Sequence, residues 1–312
     1  MQIASLQHVS YGVPQGSVLG PILFSIFCND LPSIASDDDK LYMYADDTTI
    51  FTIGKTTDLA IDRMNTILKR MFHWCIDNRM TAHPDKCEFM ILRRSRFVGP
   101  MAAVRFGTGT IKQVRHTRCL GVKLDDKLCW SPHVSEISKS FVQKLNLLKA
   151  LRFLPQPVRL DFYFKVIMPS VTYGLLIWGS CNKTLMDSLQ RIHFRAARII
   201  YNLPWDTPRN HLITQHKWKP ITHWHSTKLG TFVHKCIFDC DAHYELQQMF
   251  NKRNVKYKLR GTNILKLPRH NTNYGKNSIR RLGVNLWNKL PDYTRTICSN
   301  TSFKHELKKN LN

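Results

Sequence analysis

Lys40-Leu41-Tyr42-Met43-Tyr44-Ala45-Asp46-Asp47-Thr48-Thr49-Ile50-Phe51-Thr52-Ile53 is the stretch that decides how this chain is read. Both flanks are rich in strand formers, and the Ala-Asp-Asp step between them reads as a tight turn. The pattern predicts an otherwise buried β-hairpin with two anionic side chains at its tip. Two like charges this close repel each other and lose water, so a fold that keeps them neutralises them with divalent cations. A carboxylate pair on a rigid hairpin suits two-metal phosphoryl transfer, in which ions about 4 Å apart clamp the attacking and leaving oxygens. A solvated Asp-Asp turn has the same local signature, because Asp is a common turn residue.

Upstream runs Tyr11-Gly12-Val13-Pro14-Gln15-Gly16-Ser17-Val18-Leu19-Gly20-Pro21-Ile22-Leu23-Phe24. Pro21 suits the first turn of a helix, predicted to run through Ile22, Leu23, Ile26 and Phe27 to about Leu31. A Gly-Val-Pro-Gln-Gly-Ser stretch, an apolar helix, then Tyr-Ala-Asp-Asp resembles the palm of a reverse transcriptase. The likeness is to those of non-LTR (LINE-type, jockey-like) retrotransposons. The resemblance implies that Asp46 and Asp47 hold two Mg2+ (or Mn2+) ions and are catalytic. It implies that Tyr44 and the Gly12, Pro14, Gln15, Gly16 loop face the incoming dNTP and the template. Glycines let the backbone approach a nucleotide without a Cβ in the way, and Gln15 offers both a donor and an acceptor to a base or sugar edge.

More of the pattern follows in order. Asp58 to Asn78 reads as an amphipathic helix, with Thr57 as N-cap and Ile61, Met64, Leu68, Met71, Phe72 and Cys75 on its core face. After Met80-Thr81-Ala82-His83-Pro84-Asp85-Lys86-Cys87 a strand is predicted at Glu88 to Leu92. The resemblance implies that Lys86 reaches the triphosphate and protonates the departing pyrophosphate, acid work for which a lysine's movable pKa is suited. A solvated loop lysine reads the same way. Met101 to Phe106 and Ile111 to Val114 flank a Gly107-Thr108-Gly109-Thr110 turn. The following Leu120-Gly121-Val122 reads as a strand, and the resemblance implies a primer grip at Leu120 and Gly121. A plain edge strand is the competing reading.

From Ser131 the pattern is helical. Helices are expected at Ser131 to Leu151, Val158 to Met168, Leu175 to Trp178 and Lys183 to Tyr201. Their order after a primer grip resembles a polymerase thumb, which holds a primer–template duplex through backbone contacts. Further helices are expected at Arg209 to His216, Pro220 to Phe238, Ser278 to Leu290 and Ser302 to Leu311, with Asn251 to Asn277 read as a polar linker. The predicted fold class is α+β. It comprises a partial polymerase palm (an antiparallel sheet with packed helices, 1–98), a primer-grip hairpin region (99–130), a helical thumb (131–205) and a basic, mostly helical C-terminal extension (206–312).

Charge separates along the chain. Of its 312 residues, 1 to 62 carry eight acids and two bases, and the remainder carries 44 bases and 14 acids. The net +24 points to phosphate backbones as partners, and the resemblance implies that these are an RNA template and a DNA primer or target. The apolar stretch Val166 to Trp178 is broken by Pro169, Ser170, Thr172 and Gly174, short of the ~20 residues a bilayer span needs. Nine cysteines without a framework suit a reducing, intracellular compartment with no disulfide partner, and the resemblance implies a nuclear or cytoplasmic ribonucleoprotein. His234, Cys236, Cys240 and His243 come nearest to a metal cluster, but their spacing matches no zinc pattern. The resembled enzymes carry fingers and a further metal-binding Asp before this point. Only ten residues precede Tyr11, none of them acidic, so a truncated element, inactive alone, is expected. A non-catalytic nucleic-acid-binding remnant is the alternative.

Overall fold

The computed structural model describes residues 12, 16–36, 38–81, 83–93, 102–253 and 264–311. The chain divides into two compact units, 1–117 and 118–312.

In the first unit α1 (Gly20–Phe27) enters through Pro21 and ends four residues before Leu31, where a 3-10 turn (Leu31–Ile34) takes over. Strands β1 (Lys40–Tyr44) and β2 (Asp47–Phe51) pair antiparallel, with Lys40 opposite Phe51 and Tyr44 opposite Asp47. The hairpin is not buried on both sides. Leu41, Met43 and Ile50 pack on Leu31, Ile34 and Ile67, while Tyr42, Tyr44 and Phe51 are exposed. A two-stranded sheet has one face to spare, and here alternate residues meet solvent.

Helix α2 (Thr57–Asp77) carries the packing of this unit. Its N-cap is Thr56, one residue before the expected Thr57, with the hydroxyl accepting from Leu59 N–H. The face with Ile61, Leu68 and Cys75 buries Val104, Phe106 and Ile111, and Ile67 on another face closes the hairpin's core. Strand β3 is short (Glu88–Phe89), and β4 (Arg105–Phe106) turns at Gly107-Thr108 into β5 (Gly109–Thr110). The expected return strand splits. Ile111 N–H still bonds Val104 O, whereas β6 (Lys112–Gln113) runs parallel to β3. Among the described residues the strands therefore form four two-stranded sheets and not one palm sheet.

Strands β7 (His116–Cys119) and β8 (Val122–Asp125) form a hairpin where the chain passes into the second unit. That unit is helical: α3 (Ser131–Ala150), α4 (Gln156–Phe162), α5 (Met168–Thr172), α6 (Leu175–Trp178) and α7 (Lys183–Ile200) build one core with Leu212, Trp218 and Ile221. Pro169 does not end the second helix. A π turn at Tyr163–Ile167 widens the backbone just ahead of it, and the chain remains helical to Thr172. The break comes instead at Gly174, whose φ is +61°. Helix α7 is capped by Asn182 and buried on most sides, Gln190 included, whose Oε1 accepts from Ile221 N–H at 2.9 Å.

Helices α8 (Arg209–Gln215) and α9 (Ile221–Phe238) fall where expected, and α9 runs from this core into a second one. After α10 (Tyr244–Gln247) and α11 (Asn273–Lys276), the second core closes with α12 (Ile279–Lys289), α13 (Asp292–Arg295) and α14 (Asn300–Asn310). Trp287, Phe303 and Leu307 are fully buried there. The stretch read as a polar linker is structured where described: Lys252 bridges Leu265, and Leu265 is buried in this core.

Candidate functional site

The acidic hairpin is built as a two-residue loop, Ala45-Asp46, between paired Tyr44 and Asp47. Ala45 has φ +52°, the positive value that mirror-image hairpin turns require at their first central residue. An L-residue there costs about 1–2 kcal/mol, so the packed strands hold a strained tip. Asp46 lies in the loop, Asp47 begins β2, and both are exposed beside Tyr44, which is 68% exposed. Two anionic groups at a solvent-facing tip of a sheet anchored from below are accessible to a cation and to a polymer end.

Gly12 and Gly16 have φ of +81° and +86° with open space where a Cβ would stand. Their glycines serve backbone conformation. Ser17 Oγ accepts from Gly20 N–H at 3.0 Å and ties this segment to α1. Pro14 and Gln15 lie outside the described residues. Lys86 ends a 3-10 turn, Pro84–Lys86, and is exposed. The turn is fixed by Pro84, which packs so tightly over Gly109 that a Cβ there would lie 2.4 Å from Pro84 Cγ.

Leu120 and Gly121 are not on a strand. They are the two-residue loop between β7 and β8, with φ of +46° and +79°, the double positive that a type I′ turn demands. Tyr173 covers this tip. Its hydroxyl donates to Leu120 O at 2.7 Å, and its ring lies 3.3 Å from the position of a Gly121 Cβ. Asp125, at the other end of β8, is buried and accepts from Cys129 and Trp130 N–H at 3.0 and 2.9 Å. Burial pushes this carboxyl up, but those backbone donors outweigh it and hold it below its ordinary range. The sequence signals for both were weak, since Tyr173 lies 53 residues from the turn that it covers.

Among the described residues no group of three or more His, Cys, Asp and Glu side chains is placed to hold a metal ion. Asp46 and Asp47 fit a hard divalent cation in kind, but two carboxylates fall short of the oxygen donors that a pair of ions needs. The His/Cys spacing near residue 240 does not converge. His234 is buried against Phe303 with Nε2 on Ile297 O, Cys236 faces the core, and Cys240 is exposed.

Residues 4–124 match the family described as reverse transcriptase (RNA-dependent DNA polymerase). The chain is 27% identical over 212 residues to the RNA-directed DNA polymerase from mobile element jockey of Drosophila melanogaster, covering 65% of this chain and 23% of that protein. It is 28% identical over 204 residues to the probable RNA-directed DNA polymerase from transposon BS of the same fly, covering 62% and 22%. Against that from transposon X-element the figures are 27% over 213 residues, 65% and 23%. The chain thus spans less than a quarter of the length of these relatives. No solved structure matches it. Residues 4–124, which include the strained acidic hairpin, match the reverse transcriptase family, and nearly two thirds of the chain is similar to the RNA-directed DNA polymerases of these mobile elements.

Proposed function

We propose that this chain is the palm-and-thumb portion of an RNA-directed DNA polymerase, transferring nucleotides to a primer 3′-hydroxyl on an RNA template. The observation that carries this reading is the solvent-facing Asp46-Asp47 tip, held in strain on a packed hairpin inside the matched residues. Divalent ions, Mg2+ or Mn2+, supply activation of the attacking hydroxyl and neutralise the leaving phosphate in such chemistry. Asp46 and Asp47 are two of the donors for that centre, and at least one further carboxylate comes from outside the described residues. Tyr44, exposed on the same hairpin, packs beside primer or nucleotide. The Gly12, Pro14, Gln15, Gly16 loop covers the nucleotide and template. Lys86, free of the core on its 3-10 turn, binds the triphosphate and returns a proton to pyrophosphate. The Leu120-Gly121 tip bears on the primer backbone. Helices α3 to α7 grip the duplex through phosphates, and the protein acts inside the cell, in the nucleus or a cytoplasmic ribonucleoprotein.

Among the described residues Asp46 and Asp47 lack a third carboxylate beside them, and the polycationic remainder of the chain favours a second reading, in which it binds nucleic acid without catalysis. Primer extension separates the two, run with the chain alone and with an added preceding polymerase segment from a relative. The expected outcome is extension only with the added segment, abolished by Asp46→Asn. Salt-sensitive binding with no extension under either condition sinks the catalytic reading.

A further inference from the structure

We propose that the second unit carries a binding groove for a single nucleic-acid strand, formed by Lys252, Arg253, Lys266, Arg269 and Arg280. All five lie beyond the residues matched to the polymerase family. Two adjoining depressions, about 600 and 520 Å³, share Asn251, Lys266 and Leu267. Lys252 and Arg253 line the first, Arg269 and Arg280 the second, and among the described residues no carboxylate lines either. All five cations are exposed, and among the described residues no ion pair occupies any of them. Five uncompensated positive charges around one concavity cost folding stability through mutual repulsion, and a phosphodiester backbone removes that cost.

The groove is built, not merely a charged surface. Arg253 N–H bonds Ile264 O, and Lys266 N–H bonds Asn251 O, so the two edges are locked as a short antiparallel pair. Asn288 fixes that pair to α12 by accepting from Leu265 N–H at 2.9 Å and donating to Leu265 O at 3.0 Å. Arg281 donates to Pro268 O at 2.9 Å. The backbone is therefore ordered before any ligand arrives. Leu267, 45% exposed on the shared floor, offers an apolar rest for a sugar or base. Three guanidiniums match phosphate oxygens in pairs, which an ammonium cannot do. The size falls within the range of about 300–1,000 Å³ that encloses a small ligand, so it admits a nucleotide or two of one strand and not a helical turn. This inference stands apart from nucleotidyl transfer, and failed primer extension leaves its test untouched.

The test is fluorescence anisotropy on the full chain with 20-nucleotide single-stranded RNA and DNA of mixed sequence, titrated at several salt concentrations. The variant joins Arg253→Ala, Arg269→Ala and Arg280→Ala. It is expected to weaken binding about tenfold or more and to flatten the log–log salt slope by about 2, since each single-strand phosphate contact contributes about 0.7. The RNA and DNA arms show which strand the groove prefers, and tight binding by either supports it. Changing the three arginines to lysine is expected to keep the slope and lose part of the affinity. On the unaltered chain, bound RNA is expected to shield Lys252 and Lys266 from acetylation read by mass spectrometry. Unchanged affinity and slope in the alanine variant, or no shielding of those lysines, overturns the proposal. So does a variant that binds RNA normally but loses binding to phosphatidylserine vesicles, which assigns the groove to a lipid surface.

Discussion

At Gly121 the sequence permits several readings, and the contact with Tyr173 decides among them. A side chain there meets both a left-handed φ and a ring 3.3 Å away. Gly121→Ala is expected to destabilise the second unit by about 1–2 kcal/mol, measured by denaturant unfolding. Tyr173→Phe removes only the bond to Leu120 O and is expected to cost about 1 kcal/mol. Equal stability of Gly121→Ala and the parent would show that the turn is not held as described. His193 makes a second prediction. Its Nε2 lies 2.8 Å from Lys219 O and so carries the proton, leaving Nδ1 to accept from the Tyr163 hydroxyl at 2.6 Å. Burial pushes this imidazole down to about 4, against a small upward pull from the Lys219 carbonyl. The unfolded chain takes up its proton near 6.5, the folded one only near 4. Stability is therefore complete above pH 6.5 and falls by roughly 3 kcal/mol as pH drops to 4. Burial shifts His133, His225 and His234 in the same direction. His193→Gln is expected to make the acid loss shallower, compared by unfolding midpoints at pH 7 and pH 4.5. An unaltered acid profile would show that His193 titrates normally.

At the scale of elements, the helices were legible because their apolar residues recur at the helical period and their ends carry caps. Asn182, Ser278 and Ser299 each accept a backbone N–H at a helix start, and α9 lies within one residue of its expected bounds. The short strands were not legible. Residues 105 to 113 pair within two residues of each turn, and no periodicity distinguishes an antiparallel return from the parallel pairing of β6 with β3. What fixes this hairpin is Phe72 of α2, whose ring occupies the space beside Gly107. A Cβ on Gly107 would sit 2.4 Å from the Phe72 ring, at φ +61°. Gly107→Ala is expected to cost more than about 2 kcal/mol, with part recovered when Phe72→Leu is added, because the clash and not the turn alone is at fault. Strict additivity in that double-mutant cycle would remove Phe72 from the account.

For the whole molecule, the division into two units predicts separate responses to damage. Each has its own core: Ile61, Leu68 and Phe106 in one, Leu145, Trp178 and Leu189 in the other. Leu145 is fully buried, so Leu145→Ala leaves a cavity in this core and is expected to cost about 2–5 kcal/mol. Hydrogen exchange is expected to show faster opening throughout α3 to α7 and none at α2. A matching rise at α2 would show that the units unfold as one.

Sequence alone determined the acidic hairpin, the long helices and the polycationic remainder, because those depend on local period, turn chemistry and charge, all properties of neighbours in the chain. It also placed Asp46 and Asp47 at the tip within a residue. Only the tertiary structure decided that Leu120 and Gly121 form a turn under Tyr173, that Gln190 is buried, and that the supposed linker around Leu265 folds into a core and lines a cationic groove. Those outcomes depend on contacts between residues tens of positions apart, where packing overrides what any short window of side chains prefers.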